Sequence, residues 1–434
     1  MHKISLFWYR RDLRITDNVA LYHALNSGRP VLPVFIFDTE ILNKLESTKD
    51  GRIEFIHTRL SSIKKKLESF NASLLVLHGE PLEQFKWLIQ QYDIAALYFN
   101  HDYEPYALER DHKIKTYLES NNISVQSFKD QVIFEKNEVV KKDGKPYTVF
   151  TPYKNKWREQ FLNISLKAFQ TESLTNNFLK TNPLTIPSLK ELGFQETNYS
   201  IPSSRIDEEI IRNYGKNRDF PSIRGTSRLS IHFRHGTISI REAVKKAYEL
   251  DDTWLDELIW REFYMMILWQ FPNIVENSFK SKYDMINWRN NEEEFEKWCQ
   301  GETGYPIVDA GMRELNETGY MHNRLRMVTA SFLTKHLLID WRWGEAYFAK
   351  KLLDYELSSN NGGWQWAAGS GCDAAPYFRI FNPELQTKRF DPNHEYIKKW
   401  VPEYRTNKYP EPIVEHKFAR ERALKEYKKA LKNE

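Results

Sequence analysis

The first 120 residues alternate short apolar runs with longer amphipathic ones, and few folds tolerate that rhythm. Ile4–Tyr9, Val31–Phe37, Leu74–Leu77 and Ala95–Phe99 read as buried strands. Asn18–Asn26, Arg52–Phe70, Leu82–Gln91 and Ala107–Asn121 between them read as helices. Strands apolar on both faces, each followed by a helix, predict a doubly wound parallel sheet. Ligands of such sheets sit beyond the carboxyl ends of the strands, so Arg10–Arg14 and Asn100–Glu104 are candidate ligand loops. On spacing alone, Arg10, Arg11 and Arg14 read rather as a solvated loop.

The rhythm stops near residue 130. Thr171–Ser204 is rich in Asn, Thr, Ser and Pro, as a long connection would be. Helical periods then run through Ile240–Leu250, Thr253–Phe271, Asn323–Leu338 and Gly344–Leu353, and the mixed-charge end Arg405–Lys432 reads as a solvated helix. The expected organisation is an α/β domain over 1–130, a linker over 131–204 and a larger all-α domain over 205–434. Two cysteines, Cys299 and Cys372, exclude a disulfide framework and a multi-cysteine zinc site, and no metal is expected. No apolar run approaches roughly 20 residues and the N-terminus shows no leader pattern, so a cytoplasmic chain is expected.

With 63 basic against 59 acidic residues, charge alone argues for no polyanion partner. The one local excess lies between Arg205 and Arg241, with eight bases and four acids. Ten of the thirteen tryptophans follow residue 250, more than a helical core needs and suggestive of stacking on a flat ligand or on bases. Glu257, Trp260, Arg261 and Tyr264 share a helical face, a poor core stripe but a good ligand wall; a solvated Glu257–Arg261 pair fits the spacing equally. Asn323, Arg326, Met327 and Ala330 share a second face, where Asn323 reads equally as a helix N-cap. The run from Gly225 to Ser230 joins a turn to three hydroxyls and an arginine, a set that wraps a pyrophosphate or simply caps a helix. Asp354, Tyr355, Glu356 and Asn360 to Trp366 gather acids, amides and indoles. Gly369–Ala374 fits a dinucleotide fingerprint, but Pro376 falls where its helix belongs, so that reading is set aside.

In this order these segments resemble the photolyase/cryptochrome family over nearly the whole chain. The specific runs are FWYRRDLRITDNVAL, TGYPIVDAGMRELNETGYMHNRLRMVTASFLTKHLLIDWRWGE and NNGGWQWAAGSGCDAAPYFRIFNP. Within the family the chain is most like the class I cyclobutane pyrimidine dimer photolyases. The resemblance implies an α/β antenna domain, a linker and a helical FAD domain, and light-driven repair of pyrimidine dimers in UV-damaged DNA by a monomer. Position by position it assigns Tyr214, Thr226, Ser227, Arg228, Leu229, Ser230, Trp254, Arg326, Asp354, Tyr355, Glu356 and Asn360 to FAD. Arg218, Glu257, Trp260, Arg261, Tyr264, Asn323, Arg324, Met327 and Gln386 match DNA and lesion contacts, with Glu257 and Asn323 as the catalytic pair. Relatives that repair pyrimidine–pyrimidone photoproducts carry histidines at the places of Asn323 and Met327. Trp364, Trp341 and Trp288 match the electron-transfer triad, with Trp298 competing for its outer place. Glu356 replaces the family's commoner Asp. Tyr106 and Ala107 stand where folate-binding relatives carry Asn-Glu, which argues against folate and leaves a deazaflavin, a flavin or no antenna chromophore.

Overall fold

The computed structural model describes residues 3–432, which divide into two compact units. Of the described residues, the first comprises 3–135, 163–206 and 228–246; the second comprises 136–162, 207–227 and 247–432.

Five parallel strands form the first unit's sheet: β1 (Ile4–Tyr9), β2 (Val31–Asp38), β3 (Leu75–Gly79), β4 (Ile94–Asn100) and β5 (Ser124–Phe128), in the order β3-β2-β1-β4-β5. Side chains alternate across the pleat of β1. Phe7 and Tyr9 join one buried layer with Leu21 and Leu60, while Leu6 and Trp8 join the other with Phe85 and Ile114. Four of the five strands lie where their apolar runs predict. β5 was not among them, because SVQSF is an edge strand with polar, mostly exposed residues and shows no apolar run.

The span 131–204 is not a free connection. Phe178, Leu192 and Phe194 are buried in the sheet's apolar layer, and the Leu179 amide donates to the Val31 carbonyl at 2.8 Å. Residues 150–161 form α1 (Phe150–Phe161), which belongs to the second unit. Residues 228–246 belong to the first unit. There Arg241 Nε donates to Asp17 Oδ1 at 2.9 Å and its Nη2 to Asp130 Oδ1 at 2.9 Å. Both departures rest on partners a hundred or more residues away, which local composition does not register.

The second unit is helical. Asp251 accepts the Trp254 amide at 2.7 Å and so starts α2 (Asp252–Gln270). It is followed by α3 (Pro306–Thr318), α4 (Asn323–Ser331), α5 (Trp341–Lys351), α6 (Leu357–Ala368), α7 (Pro383–Phe390) and α8 (His416–Lys432). α1 packs on α2 through Phe150, Tyr153 and Trp157, and Lys154 pairs with Asp256 at 2.9 Å. The period expected through Leu338 breaks after Ser331 into one π-turn, Phe332–His336. The extra residue turns Lys335 inward, where Nζ donates to the Ala368 carbonyl at the end of α6, 2.7 Å away. α8 is not wholly solvated, since Ala419, Ala423, Tyr427 and Ala430 form a buried stripe. No helix among the described residues is long and apolar enough to cross a membrane.

Candidate functional site

α4, α5 and α6 and the turn before α6 enclose a cavity of about 110 Å³. Seven residues singled out from the sequence line it: Arg326, Met327, Asp354, Tyr355, Glu356, Asn360 and Trp364. Ala330, Phe348, Leu352, Ser359 and Gly363 complete the wall. Of these Ala330 stood on a marked helical face and Gly363 within the marked run Asn360 to Trp366; Phe348, Leu352 and Ser359 have the pattern of any helical core. Gly363 faces open space, so a side chain there would enter the cavity. Gly344 does the opposite work on α5: a Cβ there would collide with the Trp364 ring, so glycine lets α5 close on that indole.

The polar wall is only half satisfied. Arg326 Nη2 donates to Asp354 Oδ2 at 2.8 Å and Nε to the Met321 carbonyl at 2.9 Å. The other Asp354 oxygen, Oδ1, is buried with no hydrogen-bond partner. Burial opposes the Arg326 charge, but Asp354 outweighs it and raises its pKa. Glu356 is buried and takes Arg261 Nε at 3.1 Å and Nη2 at 3.4 Å, so the methylene that distinguishes it from Asp brings its carboxylate to that guanidinium. The alternative of a Glu257–Arg261 pair does not form, since Glu257 takes Arg218 and Arg261 takes Glu356. Asn360 Nδ2 donates to the carboxylate of Glu345 at 2.8 Å and to its carbonyl at 3.0 Å. Burial pushes the Glu345 carboxyl up, the Asn360 bond partly offsetting it. Glu345 ends the second family run, yet nothing in that run marks it as a site residue; its further signal is its place on α5, facing α6.

A second group gathers around the starts of α2 and α4. Arg218 forms an ion pair with Glu257, and its guanidinium carbon lies 5.3 Å from the Tyr214 ring centre. Arg324 Nη2 donates to Asp219 Oδ1 at 2.7 Å, and its guanidinium lies 4.2 Å from the Phe390 ring centre. Asp219 thus holds one predicted DNA-contacting arginine and adjoins the other, a role its place beside Arg218 in the chain hints at. His322, not Asn323, caps α4, accepting the Arg324 amide at 3.2 Å. Both polar atoms of the Asn323 carboxamide are buried and without partners, as is Gln386 Oε1 on α7. Trp260 stacks on Phe150 at 3.7 Å with planes 8° apart, and Tyr264 packs against Gly362. Phe150 was missed because it lies in the span read as linker.

The remaining residues divide. Trp254 and Tyr214 are buried, and Thr226 Oγ1 lies 3.4 Å from the Tyr320 hydroxyl. Thr226 and Ser227 belong to the second unit, while Arg228, Leu229 and Ser230 fall in the first, where Ser230 begins a short helix. Trp364, Trp341 and Trp298 share one core, with Trp288 packed on its edge. Trp298 lies 5.9 Å from Trp364 between ring centres but is wholly buried, with its indole N–H on the Thr329 carbonyl; Trp288 is half-buried. In the first unit, Tyr106 donates to Asp38 Oδ2 at 2.6 Å. Arg10, Arg11 and Arg14 form ion pairs with Asp111, Asp102 and Asp130, so they are not a solvated loop.

An apolar-floored slot with a spare buried carboxylate oxygen, an arginine–aspartate clamp and an aromatic edge fits a flat heteroaromatic ring carrying N–H donors and carbonyl acceptors, as a flavin does. Comparison with known proteins agrees. Residues 254–408 match the family model of the FAD binding domain of DNA photolyase, and residues 5–173 match the model of DNA photolyase. The deoxyribodipyrimidine photo-lyase of Halobacterium salinarum is 36 % identical over 99 % of this chain and 100 % of its own. The crystal structure of a class III photolyase from Agrobacterium tumefaciens superposes with a TM-score of 0.87 at 32 % identity, covering 100 % of this chain and 98 % of that one. An archaeal photolyase from Sulfolobus tokodaii, solved with two FAD molecules, gives 0.83 at 32 % identity over 98 % and 99 %. The chain belongs to the DNA photolyase family.

Proposed function

We propose that this protein repairs cyclobutane pyrimidine dimers in DNA, using light and FAD. The observation that carries this reading is the pairing of an unpartnered, buried Asn323 carboxamide with the Met327 face one turn along α4. A carboxamide offers a donor and an acceptor, which is what the imide edge of a pyrimidine asks for, and Met is a soft contact for its ring. Neither position carries the histidine that marks repair of the pyrimidine–pyrimidone lesion.

Reduced FAD, when bound, supplies the photoexcited electron. Arg326, Asp354, Tyr355, Glu356 and Asn360 would hold its ring, and Tyr214, Thr226, Ser227 and Trp254 would hold the rest. Arg218, Arg324 and Gln386 take the DNA backbone beside the lesion, and phosphate contacts of this kind position without reading sequence. Trp260, its plane set by Phe150, stacks on the flipped-out dimer, with Arg261 and Tyr264 fixing that helical face. Glu257 and Asn323 hydrogen-bond the dimer's carbonyls and count most when negative charge develops there. Trp364, Trp341 and half-buried Trp288 would relay electrons from an external thiol to the oxidised cofactor, and buried Trp298 lies off that route. The protein acts as a cytoplasmic monomer, and its antenna chromophore is not a folate.

The test is loss of dimers from a UV-irradiated oligonucleotide on illumination of the purified yellow protein. Repair in light and none in darkness is expected. FAD bound without repair would replace this reading with a photoreceptor.

A further inference from the structure

Arg218 and Arg324, the two cations assigned to DNA phosphates, are both held by carboxylates in the free protein. Arg218 Nη1 pairs with Glu257 Oε1, Arg218 Nε lies 3.9 Å from Asp219, and Asp219 takes Arg324 Nη2 at 2.7 Å. Glu257 keeps 34 % of its side-chain surface, yet protein crowds it on several sides. The helix Tyr214–Asn217 and the turn after it contribute Tyr214, Arg218 and Asp219, and α2 contributes Asp256 and Tyr264. Arg218 is the only cation in direct contact with the Glu257 carboxylate among these, since Arg261 on the same helical face is turned to Glu356.

A phosphodiester competes for the same guanidinium, and arginine takes it in the bidentate fork it offers a carboxylate. When the phosphate wins, Glu257 loses its counter-charge and is left beside Asp219, Asp256 and an incoming polyanion. We infer that DNA binding at Arg218 releases Glu257 and loads it with a proton from solvent, so that the group facing the dimer becomes an O–H donor only once DNA is in place. Arg218 is then a positioning residue for Glu257 as well as a phosphate contact. The direction agrees with the free protein, where burial raises the Glu257 carboxyl and the Arg218 ion pair opposes that rise. The role of the loaded proton rests on the repair reading; the coupling itself needs only a phosphate.

Calorimetric titration with one duplex, undamaged or carrying a dimer, in two buffers of different ionisation enthalpy measures the protons taken up. Uptake of about one proton per complex is expected for both duplexes near neutral pH, with affinity falling up to about tenfold per pH unit as pH rises. Glu257→Gln should bind and take up none. Arg218→Gln should bind more weakly and also take up none, because its Glu257 is already protonated. A carboxylic C=O infrared band then appears without DNA in Arg218→Gln, and only with DNA in the parent. No uptake in the parent, or equal uptake in Glu257→Gln, overturns the coupling whatever the repair assay gives. Uptake through Glu257 without dimer repair would sink the repair reading and leave the coupling standing. Absence of any DNA binding sinks both.

Discussion

Asn100 and Asn323 are both carboxamides set among charged groups, one in each unit, and they end in opposite conditions. Asn100, at the carboxyl end of β4, donates to Asp12 Oδ2 at 2.6 Å and to Asn18 Oδ1 at 2.9 Å, and accepts the Ala20 amide at 3.0 Å. Around it Arg14 and Arg241 share Asp130, and Asp17 takes Arg241 as well. Asn323 makes no side-chain hydrogen bond, and Asp354 keeps one buried oxygen bare. Leaving a buried polar atom unpaired costs about 1–3 kcal/mol, so a wall that keeps several is built for something that completes it. The nearly saturated cluster around Asn100, bare only at Arg14 Nε, reads as structural, and the unsaturated one that leaves Asn323 and Asp354 bare as the proposed site. Charge density alone does not separate them, since the sequence marks both regions as candidate ligand sites.

Breaking the saturated cluster should give the largest effect. Asp130→Ala leaves Arg14 and Arg241 buried without their shared carboxylate. Arg241 keeps Asp17, but Arg14 is left uncompensated, and uncompensated buried charge costs about 3–5 kcal/mol. A matching fall in the urea unfolding transition of the first unit is expected. A loss below about 1 kcal/mol would mean that water or Asp17 carries both arginines, and the contrast between the two clusters would fail.

Trp260→Ala comes next and acts on binding. Stacking with a base contributes about 1–3 kcal/mol, and that loss should appear on dimer-containing DNA and be much smaller on undamaged DNA at one fixed salt concentration. Phe150 stacks flat on the indole, so Phe150→Ala should lose part of the same discrimination by freeing its plane. Equal losses on both DNAs would make Trp260 a packing residue only.

What was legible in the sequence follows from the range of the interactions. β1 to β4 announce themselves because a strand buried on both faces must be apolar in itself, and β5 does not because an edge strand need not be. The cavity wall was legible through Arg326, Asp354 and Asn360, whose polarity sits oddly on helices, and through the family resemblance. Glu345, Asp219 and Phe150 were not, because each matters only through a partner 15 to 110 residues away: Asn360, Arg324 and Trp260. The same blindness hid the return of residues 228–246 to the first unit through Arg241. The π-turn after α4 was also invisible, since a single extra residue barely shifts an apolar period.

That turn yields a pH test that is smaller in reach. Lys335 is wholly buried, donates to one carbonyl and lies 3.6 Å from the Tyr427 ring centre. Burial holds its ammonium well below the usual lysine range. The unfolded chain therefore binds a proton there that the folded chain has released, and stability rises with pH up to the ordinary value of about 10.4. Buried His336, held at about 3, also favours the fold as pH rises, but that contribution is complete above the unfolded histidine value of about 6.5. The thiols of Cys299 and Cys372, both raised to about 12, begin to subtract only above about 8.5. Lys335 therefore adds a positive slope in the window between its depressed folded value and about 10.4, of at most about 1.4 kcal/mol per pH unit, and that contribution should be absent in Lys335→Met. An unchanged slope in that variant would place the titration elsewhere.

The smallest expected change in stability is the sharpest for the comparison. Asn323→Ala removes two polar atoms that have no partners, so the folded state loses no hydrogen bond and is relieved of two unpaired groups. Alanine also suits the first turn of α4, whose cap is supplied by His322 and is untouched. The unfolding transition should therefore move by no more than about 0.5 kcal/mol, in either direction. Repair per absorbed photon should nonetheless fall, because the lesion loses a donor and an acceptor aimed at its imide edge. Stability functions as the control: it shows that the wall is intact when repair is measured. A destabilisation of about 2 kcal/mol or more would mean that Asn323 has structural partners in solution, and the line between a saturated cluster and an unsaturated one would have to be drawn elsewhere. Unchanged repair in a stable variant would instead leave Glu257 alone on the dimer's carbonyls.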